Sequence, residues 1–297
     1  MTTKRPSTGK ARRSQKLKRS SAPIAPTRAY SVATNKQKAV QQRVAALAQV
    51  PLATSDKDPD LEAIMKVLRD EDEPTEVRAA ALQSLQAASF SVVAFESSRG
   101  DYRATLRKVA QDKNADLRQR ALGVLARQKD GFAQKKLLEG LQNPAKALVP
   151  PEKALQLLGY DPHADAYKIA RNVVSTPPNP EAKQAALRLL ASDATATPMF
   201  EKMLLDKNEL KENRQISASA LHSLDPDKMQ EHARNIVLDT GDYDDIKATS
   251  LTALSQFGNS AAITGDAALL KSVDRLKTSN SENLQKSASQ FLTKYET

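Results

Sequence analysis

Residues 77–85 read Val-Arg-Ala-Ala-Ala-Leu-Gln-Ser-Leu, and residues 117–125 read Leu-Arg-Gln-Arg-Ala-Leu-Gly-Val-Leu. Both stretches place apolar or small residues at i, i+4, i+5 and i+8, with a basic residue at i+1. That spacing keeps the apolar side chains on one stripe of an α-helix and leaves the basic residue at its edge. A small residue at i+4 lets a neighbouring backbone come close. The same pattern recurs along the chain. Ala182-Lys183 leads to Ala186-Leu187 and Leu190, and Ile216-Ser217 leads to Ala220-Leu221 and Leu224. Ile246-Lys247 leads to Ser250-Leu251 and Leu254, and Leu284-Gln285 leads to Ala288-Ser289 and Leu292. A weaker copy sets Pro150-Pro151 before Ala154-Leu155 and Leu158.

The small residue falls at positions 81, 121, 154, 186, 220, 250 and 288, with spacings of 40, 33, 32, 34, 30 and 38. A further apolar-periodic segment precedes each copy, beginning near Leu61, Tyr102, Phe132, Ala164, Met199, Met229 and Ala268. Turn residues separate the segments: Glu73-Pro74, Asn143-Pro144, Pro177-Pro178-Asn179-Pro180, Asp225-Pro226 and Thr240-Gly241. The unit is helix, turn, helix, present seven times. The spacing predicts an extra helix over residues 36–50 that caps the array, with Val40, Val44 and Leu47 on one face. One such pair cannot cover its own apolar face, so neighbouring pairs must stack. The expected fold is all-α, an α-solenoid of about seven helix pairs with an N-terminal capping helix, over residues 34–297.

Composition agrees. Aromatics make up 4% of the chain, Trp is absent and Gly is scarce at 9 residues, which disfavours a β-sandwich or barrel. Cys is absent, so disulfides, Cys-ligated zinc and a thiol nucleophile are excluded and the redox compartment stays open. No apolar run reaches the length of a membrane span. The first thirty residues lack the apolar stretch expected of a secretory signal.

The repeats resemble the HEAT family over most of residues 55–297. The most specific mark of the resemblance is an Asp six residues before the Arg of the second helix, met by Asp72 with Arg78 and by Asp112 with Arg118. The resemblance implies that these residues form a ladder linking neighbouring repeats. It also implies that the second helices line a concave side able to hold a protein partner. Later copies depart from the mark, with Ser217 and Gln285 in place of the basic residue. Two HEAT-like enzyme families come with the resemblance. The DNA glycosylases among them carry Trp and Asp in a basic cleft, which a Trp-free chain does not supply. The bilin lyases of light-harvesting antennae stay open as an alternative.

Charge divides the chain. The formal net charge is +10, yet residues 1–50 hold 12 basic residues and no acidic one, leaving 33 basic against 35 acidic residues beyond them. Residues 1–33 read as a basic, disordered arm. Its cations Lys4, Arg5, Lys10, Arg12, Arg13, Lys16, Lys18, Arg19 and Arg28 are spaced by Ser, Thr and Pro, with too few apolar side chains to drive ordering by burial. Such an arm can dock to nucleic acid or another polyanion through phosphate contacts, or act as a nuclear or organelle address.

Motifs for chemistry are missing. His222 and His232 are ten residues apart, against the three or four of a helical metal pair, and His163 is remote from both. Asp239, Asp242, Asp244 and Asp245 surround Gly241, but a calcium loop needs Gly sixth and Glu twelfth, where this stretch has Gly third and Ser250 twelfth. Their expected role is to charge-match the next helix N-terminus. No phosphate loop or nucleophile elbow is present. The residues therefore point to no catalytic, metal or cofactor site. They favour a non-enzymatic scaffold, with nucleic-acid binding as the alternative.

Overall fold

The structure is a computed structural model that describes residues 26–52 and 59–295, with side chains described from residue 29 onward. Among the described residues there are 17 α-helices and no strand. The chain divides into two compact units, Met1–Tyr102 and Arg103–Thr297.

The first unit contains α1 (Pro26–Thr34), α2 (Val40–Leu47), α3 (Pro59–Arg69) and α4 (Thr75–Ala88). Helix α5 (Arg99–Val109) runs across the division. Helix α1 begins inside the segment assigned to the arm. Its Ala29 and Ala33 are fully buried, and the helix packs on α2 and α3. Tyr30 and Val32 of the same helix are half-buried beside them. Helix α2 is thus the second member of a pair rather than a lone cap. Its buried face is Arg43, Ala46, Leu47 and Val50, whereas Val40 is exposed. Those four residues repeat the second-helix pattern: a basic residue, then Ala-Leu, then an apolar residue.

The second unit contains α6 (Ala115–Arg127), α7 (Gly131–Gln142), α8 (Pro151–Leu158), α9 (Ala164–Ser175), α10 (Pro180–Leu190) and α11 (Thr197–Leu205). These are followed by α12 (Lys211–Leu224), α13 (Pro226–Leu238), α14 (Asp244–Phe257), the short α15 (Ser260–Thr264), α16 (Ala267–Leu276) and α17 (Glu282–Tyr295). Successive helices pair, α7 with α8, α9 with α10, α11 with α12, α13 with α14 and α16 with α17. The second helices α6, α8, α10, α12, α14 and α17 pack one on the next, the stacking of an α-solenoid. All seven small residues of the repeat are buried, at 3% exposure or less.

Ion pairs join neighbouring copies. Arg43 makes a two-pronged pair with Glu73 at 2.6 and 2.8 Å, and its Nε donates to the Ala33 carbonyl. Arg214 does the same with Asp242, both bonds 2.9 Å, and its Nε donates to the Leu204 carbonyl. A lysine seven residues before each Arg completes the set: Lys36 reaches Asp70 and Glu73, and Lys207 reaches Asp239 and Asp242. Lys183 to Glu209, at 2.6 Å, is a third rung. In each rung the carboxylate stands five residues before the basic residue of its own copy.

Arg214 also corrects the register of α12. The buried set is Asn213, Arg214, Ser217, Ala218, Ala220 and Leu221: Ala220 and Leu221 are buried as the pattern expects, but the face begins three residues earlier, and Ile216 and Leu224 are only half-buried. The basic position is therefore filled by Arg214, and Ser217 takes the small-residue place.

A second set of pairs runs along the first helices. Arg107 donates to Asp130, Arg171 to Asp193 and Arg234 to Asp266. Each Asp also accepts backbone N–H groups where the next first helix or its leading turn begins. Burial pushes the Asp130 carboxyl up, but the hydrogen bond and charge of Arg107 outweigh it and hold it below the usual range.

One copy departs from the rest. Pro150 and Pro151 open α8, which has 8 residues against 13 in α6 and 11 in α10. Proline lacks an N–H and fixes φ, so it starts a helix but cannot extend one backwards. The missing first turn is replaced by residues 143–150, which lie close against α7. A Cβ on Gly140 would sit 2.9 Å from the Ala147 backbone, so only glycine fits there.

Candidate functional site

The second helices of the second unit present their outward positions on one open face. Corresponding places in α6, α8, α10 and α12 hold Gln119, Glu152, Gln184 and Gln215. Two recesses run along this face. The first, about 660 Å³, includes Gln119, Glu152, Gln156, Gln184 and Arg188. The second, about 540 Å³, includes Arg188, Glu212, Gln215 and Ser219. Arg188 belongs to both, so the two recesses adjoin along the face of four helices. Their lining mixes carboxamides, which both donate and accept hydrogen bonds, with Glu152, Glu181, Glu212, Lys153 and Arg188. The carboxylates stand in the first turns of their helices, where the helix dipole favours them.

A different recess, about 820 Å³, lies among the C-terminal ends of α7 and α9, the 144–149 segment and the start of α8. Ala147, Val149, Ala154 and Val173 form its apolar wall, and Asn172, Thr176 and Asn179 its polar rim. Among its fifteen lining residues none is ionisable. It shares Gln142, Ile169 and Asn172 with a shallower cleft of about 560 Å³ between α7 and α9.

The sequence-predicted residues distribute as follows. Lys4, Arg5, Lys10, Arg12, Arg13, Lys16, Lys18 and Arg19 lie outside the described residues, and Arg28 falls in α1 with its side chain outside them. Arg78 is buried and its Nε donates to the Leu68 carbonyl at 3.0 Å, while Asp72 is exposed. The carboxylate buried in that turn is Glu73, one residue on, and it takes Arg43. Arg118 donates to three backbone carbonyls, Asp112 at 2.7 Å and Lys113 at 3.3 Å in its own turn and Leu148 in the next copy. The Asp112 carboxylate accepts the Asn114 N–H. The rungs Arg43–Glu73, Lys183–Glu209 and Arg214–Asp242 escaped sequence reading. Their signal was an acid five residues before the basic residue, where six was sought.

The histidines separate. His222 meets Gln256 at 3.1 Å, His232 meets Glu201 at 2.8 Å and His163 meets Gln134 at 3.3 Å. Among the described residues one group, Glu201, Glu231 and His232, has ligand atoms close enough for a metal. Lys228 already sits 3.3 Å from Glu201, and the His232 hydrogen bond holds the Glu201 carboxyl below its usual range against a desolvation that raises it. That cluster is a charge-paired surface. The acids near Gly241 are also taken: Asp239 and Asp242 by Lys207, Asp244 by Ser279 and Asp245 by Lys211.

No protein-family model matches the chain, and no curated protein matches it. Solved structures similar to it include the following two. Human deoxyhypusine hydroxylase in complex with glycerol is 15% identical, with 80% of this chain and 96% of that chain covered and a TM-score of 0.36. An engineered protein is 15% identical, with 91% of this chain and 83% of that chain covered and a TM-score of 0.43.

Proposed function

We propose that the chain is a non-enzymatic HEAT-type scaffold whose second-helix face is concave and holds a protein partner, and whose basic arm docks to an anionic surface. The observation that carries the reading is the pair of open recesses that adjoin at Arg188. They lie along four helices and are lined by side chains that can pair with a polypeptide backbone. Arg78 and Arg118, with the Asp72 and Asp112 turns, are proposed as links between repeats that keep the face in register.

Affinity purification from the native source, with nuclease, tests the face. One protein is expected to be retained by the intact chain and lost from Arg188→Glu and Gln215→Glu variants. Retention by both variants places the partner elsewhere. Complete loss on nuclease treatment of the intact chain favours the rival, a nucleic-acid-binding protein.

The arm is tested separately. Deleting residues 1–25 spares α1 and removes eight of the nine arm cations. The helical circular dichroism and melting temperature are expected to hold, while polyanion binding is lost. If about six arm charges meet phosphates, log affinity of the intact chain for duplex DNA falls with log salt at a slope of about −5. Binding kept in full by the shortened chain would move the polyanion surface to the folded body.

A further inference from the structure

Phe90, Val92 and Val93, in the turn after α4, are 78%, 71% and 85% exposed. Among the described residues no other large apolar side chain is more than 51% exposed. Single exposed apolar residues are ordinary on a surface, but three within four positions mark a contact. The turn that presents them is an ordered one. Phe95 behind it is fully buried and meets Tyr102 edge-on, with ring centroids 5.3 Å apart. The N–H groups of Phe90, Ser91, Phe95 and Glu96 donate to carbonyls three or four residues earlier. Arg99 donates to the Val92 carbonyl at 3.4 Å. Much of the turn's backbone is thus satisfied from within, as an apolar medium requires. The acids beside it are offset, Glu96 by Arg99 at 2.5 Å and Asp101 by its place in the first turn of α5.

The same end of the first unit receives the arm. Helices α1 and α2 pack as an antiparallel hairpin, so the start of α1 lies beside the end of α2. Ser84 Oγ, near the end of α4, donates at 2.7 Å to the carbonyl of Leu47, the last residue of α2. The ends of α2 and α4 are therefore neighbours. Residue 26, where the arm joins α1, stands at the end that carries the apolar turn. Residues 1–25 hold eight basic residues and no acid.

Given the docking role of the arm, on which this inference rests, we propose that the anionic surface is a phospholipid bilayer. Phe90, Val92 and Val93 insert into its interfacial layer while the arm meets the headgroups. A small apolar anchor and a polybasic segment are each weak alone and together give stable attachment. A nucleic acid would engage the arm but has no apolar layer for the two valines.

The chain has no Trp, so Phe90→Trp places a single reporter in the turn. Its emission is read with duplex DNA and with phosphatidylcholine vesicles, plain or carrying about 30% phosphatidylserine. On the anionic vesicles it is expected to move to shorter wavelength and to be quenched by bromine on the acyl chains. Plain vesicles are expected to bind at least tenfold more weakly. Val92→Ser with Val93→Ser is expected to cut affinity for the anionic vesicles at least tenfold at an unchanged melting temperature, since both positions are exposed. Unchanged emission on vesicles that do bind the chain would overturn the insertion and leave the arm's docking standing. Equal vesicle binding by the chain lacking residues 1–25 would overturn the docking, and the inference with it. The proposal is also overturned by absence of binding to anionic vesicles, by affinity unchanged in the double variant, by an emission shift with DNA alone, or by a shift that grows with protein concentration in the absence of lipid.

Discussion

Leu187→Asp is expected to unfold the second unit, while Arg188→Glu, its neighbour, is expected to leave stability within about 0.5 kcal/mol. Leu187 is fully buried in α10, which packs on α8, α9 and α12. Truncation to Ala costs about 2–5 kcal/mol at such a site, through lost transfer energy and the cavity left behind. An Asp adds a carboxylate with no partner, which must either stay ionised without water or take up a proton. The combined cost approaches the whole stability of about 5–15 kcal/mol of a typical domain. In a stack of pairs the damage also removes the interfaces on both sides of α10. Urea titration followed by circular dichroism reads both variants. An unchanged midpoint for Leu187→Asp would show that the stripe through Ala182, Ala186, Leu187 and Leu190 does not face inward.

That stripe was legible because its information is local. A small residue, a Leu beside it and a Leu three further on mark a helix face whatever the helix packs against. Helix α12 shows the limit. Ala220, Leu221 and Leu224 satisfy the pattern as well as Ser217, Ala218 and Leu221 do, because a three-residue shift turns a helix face by only about 60°. What decides between them is Arg214, whose partner Asp242 is 28 residues away in the next copy. Helix α2 reads as a cap for the same reason: the meaning of Arg43 lies in Glu73. The recess at the start of α8 was hidden more deeply. Pro150 and Pro151 announce a late helix start, but the space there depends on how residues 143–150 lie against Gly140. That does not follow from one element alone.

Arg214→Ala is expected to destabilise the protein by about 3–5 kcal/mol at neutral pH, the usual cost of breaking a buried ion pair from one side. The Arg214 and Asp242 side chains are 2% and 0% exposed, so removal of the guanidinium leaves a buried carboxylate with Lys207 as its remaining charge partner. The double variant Arg214→Met with Asp242→Leu is expected to lose less than Arg214→Ala, because it orphans no charge. The pH dependence has a definite sign. Burial pushes the Asp242 carboxyl up, but the hydrogen bonds from Arg214 and Lys207 outweigh it and hold it below the ordinary range. Glu209 behaves alike: burial raises it, and Lys183 and Asn213 lower it further. A depressed carboxylate contributes stability above its unfolded value, about 4, and loses it as pH falls through the folded value. The gap between wild type and Arg214→Ala is therefore full at pH 7, shrinks as pH falls past about 4, and closes only below the depressed folded value, where Asp242 is protonated in both. Added salt should close the gap only slightly, since a pair out of solvent is weakly screened, unlike exposed pairs such as Lys277 with Asp274. Denaturant midpoints of wild type, Arg214→Ala and the double variant, taken from pH 7 to pH 3 at low and high salt, check each part. A gap that is independent of pH and vanishes in salt would mean that Arg214 and Asp242 meet in solvent, and the rung would then not hold neighbouring copies together.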